Sequence, residues 1–171
     1  MTTAVVCAAF DTAGDEQVER LRRLVEREGL RVRRAHRPHL TLAAARVADP
    51  AAVVTRAGEI AARHAPFTLT STGLASFEAG VLFVAITATD ALQALQHDAH
   101  TTLAGHWPPA FGARSEPDGW LAHCTLATRV PPPALRRLTA RPVEGFRLTV
   151  DALAVIAVGG QGDIAHLPLG G

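Results

Sequence analysis

Two four-residue segments of this chain carry the same chemistry. His39-Leu40-Thr41-Leu42 and His123-Cys124-Thr125-Leu126 both read His, apolar, Thr, Leu. In a β-strand successive side chains point to opposite faces, so each copy sets an imidazole beside a hydroxyl on one face. The alternate residues, Leu40 with Leu42 and Cys124 with Leu126, then turn toward a core. An imidazole titrates near neutral pH and moves protons, and a hydroxyl can donate a hydrogen bond to a phosphoryl oxygen. Supplied twice, the set suits phosphoryl transfer without a metal. One imidazole serves as base and the other as acid, while two hydroxyls hold the non-bridging oxygens. Which histidine takes which role is not legible.

The pattern is specific only in its full form. With 8 His in 171 residues, a bare His-x-Thr arises about once by chance. His100-Thr101-Thr102 is such a case, and it falls in a helical stretch where positions i and i+2 do not share a face. Requiring an apolar second residue and Leu in fourth place lowers the expectation to roughly 0.04 copies, so a pair of them asks for an explanation.

The elements that must position these residues run in a repeated order. Residues 4–10 read as a strand. Residues 15–28 read as a helix, with Val18, Leu21 and Val25 on one face, Arg20, Arg23 and Arg27 opposite, and Gly29 ending it. The first motif strand covers about 38–44. Asp49-Pro50 starts a helix to about residue 64, and 67–74 is a strand. A strand at 81–87 follows, then a helix from Asp90 to about 105, a Pro/Gly-rich loop over 107–119 and the second motif strand at about 120–128. A short helix after Pro131 ends near 139, 146–153 is a strand, and 154–158 with 165–169 reads as a final hairpin. Each half is strand, helix, motif strand, helix, strand, which suggests an internal duplication, about 4–77 and 81–169, within one domain over 1–171. Packed about a pseudo-twofold axis, the equivalent strands would lie face to face and the motifs would line one cleft.

Composition narrows the class further. Apolar residues make up 48%, enough for a sizeable core, and the net charge of +1 does not announce nucleic acid. All 17 basic residues are Arg, eight of them between Arg20 and Arg37. Arg suits bidentate phosphate contacts, although the absence of Lys, Asn and Tyr fits coding bias better than function. Cys7 and Cys124 sit in apolar runs without zinc-site spacing and read as buried thiols. No cofactor and no metal are expected, since neither H-E-x-x-H nor paired C-x-x-C occurs. The start of the chain has no basic segment before its short apolar run, and no stretch reaches membrane-spanning length. A cytoplasmic monomer without membrane contact is expected.

Pro38-His39-Leu40-Thr41-Leu42 and Trp120-Leu121-Ala122-His123-Cys124-Thr125-Leu126, with the element order and length, make the chain resemble the two-histidine phosphoesterase superfamily. The branch is the one named for 2′-5′ RNA ligase and RNA 2′,3′-cyclic phosphodiesterase. Members often carry Pro before the second His, where this chain has Ala122. The resemblance implies an α+β, bilobal fold of antiparallel sheets with outer helices around a central cleft. It implies metal-independent opening of 2′,3′-cyclic phosphates on RNA 3′ ends or nucleotides. His39 and His123 would be the acid/base pair, Thr41 and Thr125 would bind phosphate, and a 2′-phosphate would be left. Ligation would be the reverse reaction with a 5′-hydroxyl. A different small substrate, such as the cyclic phosphate of ADP-ribose or a 2′-5′ oligonucleotide, stays open, as does a non-catalytic RNA-end binder, against which the intact motifs argue.

Three further residues are candidates for substrate binding. Arg37 stands at even spacing from His39. Arg129 stands at even spacing from His123 and is the one basic residue soon after the second motif, where members of the superfamily tend to have one. Trp120 could stack on a base or simply pack in the core. His36 could line the cleft or sit in a loop, His64 reads as partly buried, and His97 and His100 read as solvated.

Overall fold

The computed structural model of the chain describes residues 1–32, 34–111 and 116–170. Arg33 of the arginine-rich segment and residues 112–115 of the long loop lie outside the described residues. In chain order the elements are β1 (Thr2–Phe10), α1 (Thr12–Arg27), β2 (His39–Val47), α2 (Ala51–Ala61), β3 (Phe67–Phe77), β4 (Val81–Ile86), α3 (Asp90–Ala104), β5 (His123–Ala127), α4 (Pro132–Thr139), β6 (Arg147–Ala157) and β7 (Ala165–Pro168). The fold is α+β, with every strand pair antiparallel.

Local chemistry explains where elements start and stop. Asp11 caps α1, accepting from the Gly14 amide at 2.7 Å, so the helix begins at Thr12 rather than at the expected residue 15. Gly14 is needed there because a Cβ would lie 2.9 Å from Phe10 Cβ. Thr89 rather than Asp90 caps α3 through the Leu92 amide. The strand and hairpin arm expected at 146–153 and 154–158 are one long strand, β6, with β7 folded back on residues 152–155. Pairing with β1 along residues 150–157, and with β7 on the other edge along 152–155, keeps that apolar run extended, and this is tertiary information.

The sheet order is β2-β1-β6-β3-β4-β5, with β7 also on β6. Exchanging β1 with β4, β2 with β5 and β3 with β6 leaves this order unchanged when read backwards. Each half's third strand therefore pairs with the first strand of the other half. The sheet is therefore two lobes, β2-β1-β6 and β3-β4-β5, each built from strands of both halves, and the lobes join edge to edge through four residue pairs, Phe67–Val150 to Thr70–Arg147, rather than as two separate sheets face to face. At the end of that ladder Ser71 and Phe146 clasp each other. The Ser71 amide donates to the Phe146 carbonyl, and the Phe146 amide donates to Ser71 Oγ, both at 2.9 Å.

The helices cross over in the same way. α1, which follows β1, packs against β5, and α3, which follows β4, packs against β2. The sheet bends so far that its outermost path strands, β2 and β5, also touch. The main core lies under the helices and includes Leu40, Leu42, Cys124 and Leu126. The other face of β1 and β6 carries Val5, Cys7, Ala9, Ala152, Ala154 and Ile156, four of them small Ala or Cys. Small residues there leave room for a depression between the lobes.

Candidate active site

β2 and β5 show the expected alternation. Leu40, Leu42, Cys124 and Leu126 are at most 1% exposed, and His39, Thr41, His123 and Thr125 are half-buried. Burying each leucine is worth about 1.5–3 kcal/mol, which pins the register and hence the direction of the polar pair. A one-residue slip would exchange the faces.

The four polar residues border two adjoining hollows. His39, Thr41 and Thr125 line one of about 250 Å³, together with Arg22, His36 and Phe111. His123 and Thr41 line another of about 490 Å³, with Phe77, Phe111, Trp120 and Leu121. Thr41 and Phe111 belong to both, so the motifs come together around one depression.

The two imidazoles are held identically. His39 Nδ1 lies 2.7 Å from the Arg37 carbonyl, and His123 Nδ1 lies 2.7 Å from the Leu121 carbonyl. A carbonyl only accepts, so each Nδ1 carries the proton and each neutral ring leaves Nε2 as an acceptor. Burial is the largest influence on both, and it pushes both below the usual histidine range. For His39 the Arg37 carbonyl and the Asp163 charge oppose burial, whereas the Arg22 and His36 charges add to it. For His123 only the Leu121 carbonyl opposes. The His123 ring meets Phe77 and Phe83 edge-on, with centroids 5.0 and 5.2 Å away. These contacts fix its tilt.

Trp120 lines the His123 hollow, and its indole Nε1 donates to the Thr41 carbonyl at 2.9 Å. It therefore ties the segment before β5 to the first motif strand. Arg37 does not reach either hollow. Its guanidinium donates to Asp15 Oδ2 and to the Phe10 carbonyl and lies 3.0 Å from His166 Nδ1. Even spacing misplaces it because β2 starts at His39, with Pro38 turning the chain just before it. Arg129 is also elsewhere. β5 ends at Ala127, Arg129 has a φ of 57°, and it lines a different hollow with Leu30 and Arg31. His36 borders the His39 hollow, its Nδ1 3.0 Å from the Gly162 carbonyl. His64 pairs with Asp98, and His100, expected to be solvated, pairs with Glu116.

Arg22, Phe77 and Phe111 do not stand out from the sequence as site residues. The two aromatics carry no local signal. Arg22 does carry one: it stands four residues after Val18 and three before Val25, on the apolar stripe of α1. Both cysteines are free and buried, which pushes the Cys124 thiol up to about 11 and Cys7 higher still, so both stay protonated at neutral pH. Among the described residues, no group of three or more His, Cys, Asp or Glu converges as a metal site would require, and no helix is long and apolar enough to cross a membrane.

An α+β fold whose outermost path strands each present His-x-Thr to a shared depression defines the class of two-histidine phosphoesterases. The family model described as the 2′-5′ RNA ligase superfamily matches residues 10–162, and the chain belongs to that superfamily. The solved structure of TT0787 from Thermus thermophilus is similar over 99% of this chain and 98% of its own, with a TM-score of 0.67 and 16% identity. Escherichia coli LigT complexed with 3′-AMP is similar over 98% of this chain and 97% of its own, with a TM-score of 0.67 and 18% identity. Kluyveromyces marxianus Usb1 is more distant, with a TM-score of 0.50 and 13% identity over 98% of each chain. A search of curated proteins finds no match.

Proposed function

We propose that this protein is a phosphodiesterase that opens 2′,3′-cyclic phosphates of RNA ends or nucleotides, using His39 and His123 as an acid/base pair and no metal. One observation carries the reading. Two half-buried imidazoles, each anchored through Nδ1 to the carbonyl two residues back, border hollows that share Thr41. With Nδ1 occupied, each ring exchanges protons through Nε2.

Opening the ring takes in-line attack by water on phosphorus opposite the departing 3′ oxygen. One neutral imidazole removes a proton from the water as the new P–O bond forms. The other, protonated, gives its proton to the 3′ oxygen as that P–O bond breaks. The products are a 2′-phosphate and a 3′-hydroxyl, with one water consumed. The Thr41 and Thr125 hydroxyls donate to the non-bridging oxygens and hold phosphorus in line. An anionic substrate raises both imidazole pKa values against the effect of burial, so the acid gains its proton as substrate binds. The same ring opening with a 5′-hydroxyl in place of water, the P–O5′ bond forming as the P–O3′ bond breaks, is a 2′-5′ ligation.

The test is a panel of 2′,3′-cyclic mononucleotides, RNA with a cyclic-phosphate end and 2′-5′-linked dinucleotides, each assayed in EDTA. The expected result is 2′-phosphate product at an undiminished rate. Activity abolished by EDTA and restored by zinc or magnesium would overturn the mechanism. Turnover of none of the panel would overturn the substrate class.

A further inference from the structure

The His39 hollow contains a cation that the acid/base pair does not account for. Arg22 is only 4% exposed, while Arg20, Arg23 and Arg27 on the same helix lie in solvent. α1 carries Arg22 over to β5, and the residue borders the same hollow as His39, Thr41 and Thr125. Among the described residues its guanidinium donates from Nη1, to Glu19 Oε1 at 2.7 Å and to the His36 carbonyl at 3.4 Å. Nε is buried and has no partner among the described residues. An orphaned buried donor costs about 1–3 kcal/mol, and more when charged, so such a group calls for a missing partner.

We propose that Arg22 is the anion-binding residue of this site, taking the non-bridging oxygens of the substrate phosphate on its Nε–Nη2 edge while Glu19 holds Nη1. The inference rests on the phosphodiesterase reading for the identity of the anion. The chemistry suits the group. Nε–H and one Nη2–H point the same way and match two phosphate oxygens side by side. Fixing Nη1 on Glu19 removes the rotational freedom that a free arginine would lose on binding. The anion then receives donors from three elements: α1 through Arg22, β2 through Thr41 and β5 through Thr125.

Arg22 also makes the two imidazoles unequal. Its charge acts on His39 and not on His123. The other charged or titratable groups acting on His39 are His36 and Asp163, of opposite effect. In the free protein Arg22 therefore adds to burial in keeping His39 neutral. A bound anion cancels that effect.

Inorganic phosphate is the probe, followed by calorimetry and by the NMR titration of the His39 ring. Arg22→Gln is expected to weaken phosphate binding at least tenfold and to raise the His39 midpoint in the free protein. Arg22→Lys keeps the charge but loses the fork, and should bind phosphate more weakly than wild type while leaving the His39 midpoint closer to it. Arg56→Gln, on the exposed face of α2, removes the same net charge and should change neither. Folded Arg22→Gln binding phosphate as tightly as wild type would overturn the proposal, as would wild type that binds no phosphate. Should Arg22→Gln not fold, equal phosphate affinity in Arg22→Lys overturns it. Turnover plays no part in these measurements. Loss of phosphate binding in a protein whose wild type hydrolyses no cyclic phosphate would sink the phosphodiesterase reading and leave the role of Arg22 standing.

Discussion

Replacing His123 by Asn separates the anchoring nitrogen from the reacting one. The Asn amide nitrogen can occupy the place of Nδ1 and keep the 2.7 Å bond to the Leu121 carbonyl. Nothing replaces Nε2. If Nε2 moves the proton, kcat should fall by roughly 10²–10⁴. At about 1.36 kcal/mol per decade, that is about 2.7–5.5 kcal/mol of barrier. The stability cost is smaller and separable. The ring loses its edge contacts with Phe77 and Phe83, each worth about 0.5–1.5 kcal/mol beyond area. For a chain of this length that lowers Tm by only about 2–12 °C, at roughly 2–4 °C per kcal/mol. A variant folded at the assay temperature thus cannot owe a hundredfold loss to unfolding. The assay is hydrolysis of a 2′,3′-cyclic nucleotide across pH in EDTA, with melting curves alongside. Wild type should give a bell whose limbs belong to the coupled pair, and His123→Asn should lack one limb. His123→Asn that is folded and retains more than a tenth of wild-type kcat would refute proton transfer through Nε2.

Four further outcomes follow from the same geometry. His39→Ala with His123→Ala should lose far less than the product of the single effects, because the pair acts as a unit; multiplicative losses in kcat would contradict that. Thr41→Val and Thr125→Val should each slow turnover about 10–100-fold, the worth of one hydrogen bond to a charged group of about 1.5–3 kcal/mol, and kinetics showing no loss would remove the hydroxyls from the phosphate site. His100→Ala breaks the pair with Glu116 and should leave kcat/KM near wild type; damage like that of His123→Ala would mean the site is misplaced. Both motif imidazoles titrate below their unfolded value, so the unfolded chain takes up protons that the native protein refuses. Stability should therefore be full above about pH 6.5 and fall toward pH 5, by at most about 1.4 kcal/mol per pH unit per histidine. Urea melts that stay flat over this window, or that slope equally in a variant lacking both rings, would contradict that.

The motif pair is legible in the sequence because strand alternation is local: four residues suffice to say which side chains share a face. The misplaced residues share a cause as well. Even spacing does not carry to Arg37 and Arg129, which lie beyond ends of β2 and β5 that no local rule marks. Pro38 and the left-handed Arg129 end the alternation on either side. The continuity of β6 depends on β1, which pairs with it from 140 or more residues away in the chain. Arg22 is the opposite case. Its helical spacing is visible, yet reading it as buried requires accepting an arginine on an apolar stripe, which composition alone argues against. The structure shows Glu19 satisfying part of its charge.

The motif strands stand at the two ends of the six-strand sheet path, and among the described residues the only ladder linking the lobes β2-β1-β6 and β3-β4-β5 is four residue pairs long. A link that short would let the lobes swing unless the open side were closed too. Trp120 closes it by donating to the Thr41 carbonyl. Val32 bridges to Ala127, at the end of the second motif strand. Pro109 bridges to Ala45 on the free edge of β2, bringing Phe111 over both hollows. α1 against β5 and α3 against β2 add apolar contact. Each tether joins a motif strand to a segment distant in the chain, so the spacing of the two imidazoles is a property of the closed ring of contacts and of no single element. That is why residues of α1, β2 and β5 border one hollow, as the proposed phosphate site requires: the chain builds the depression by making each lobe complete the other.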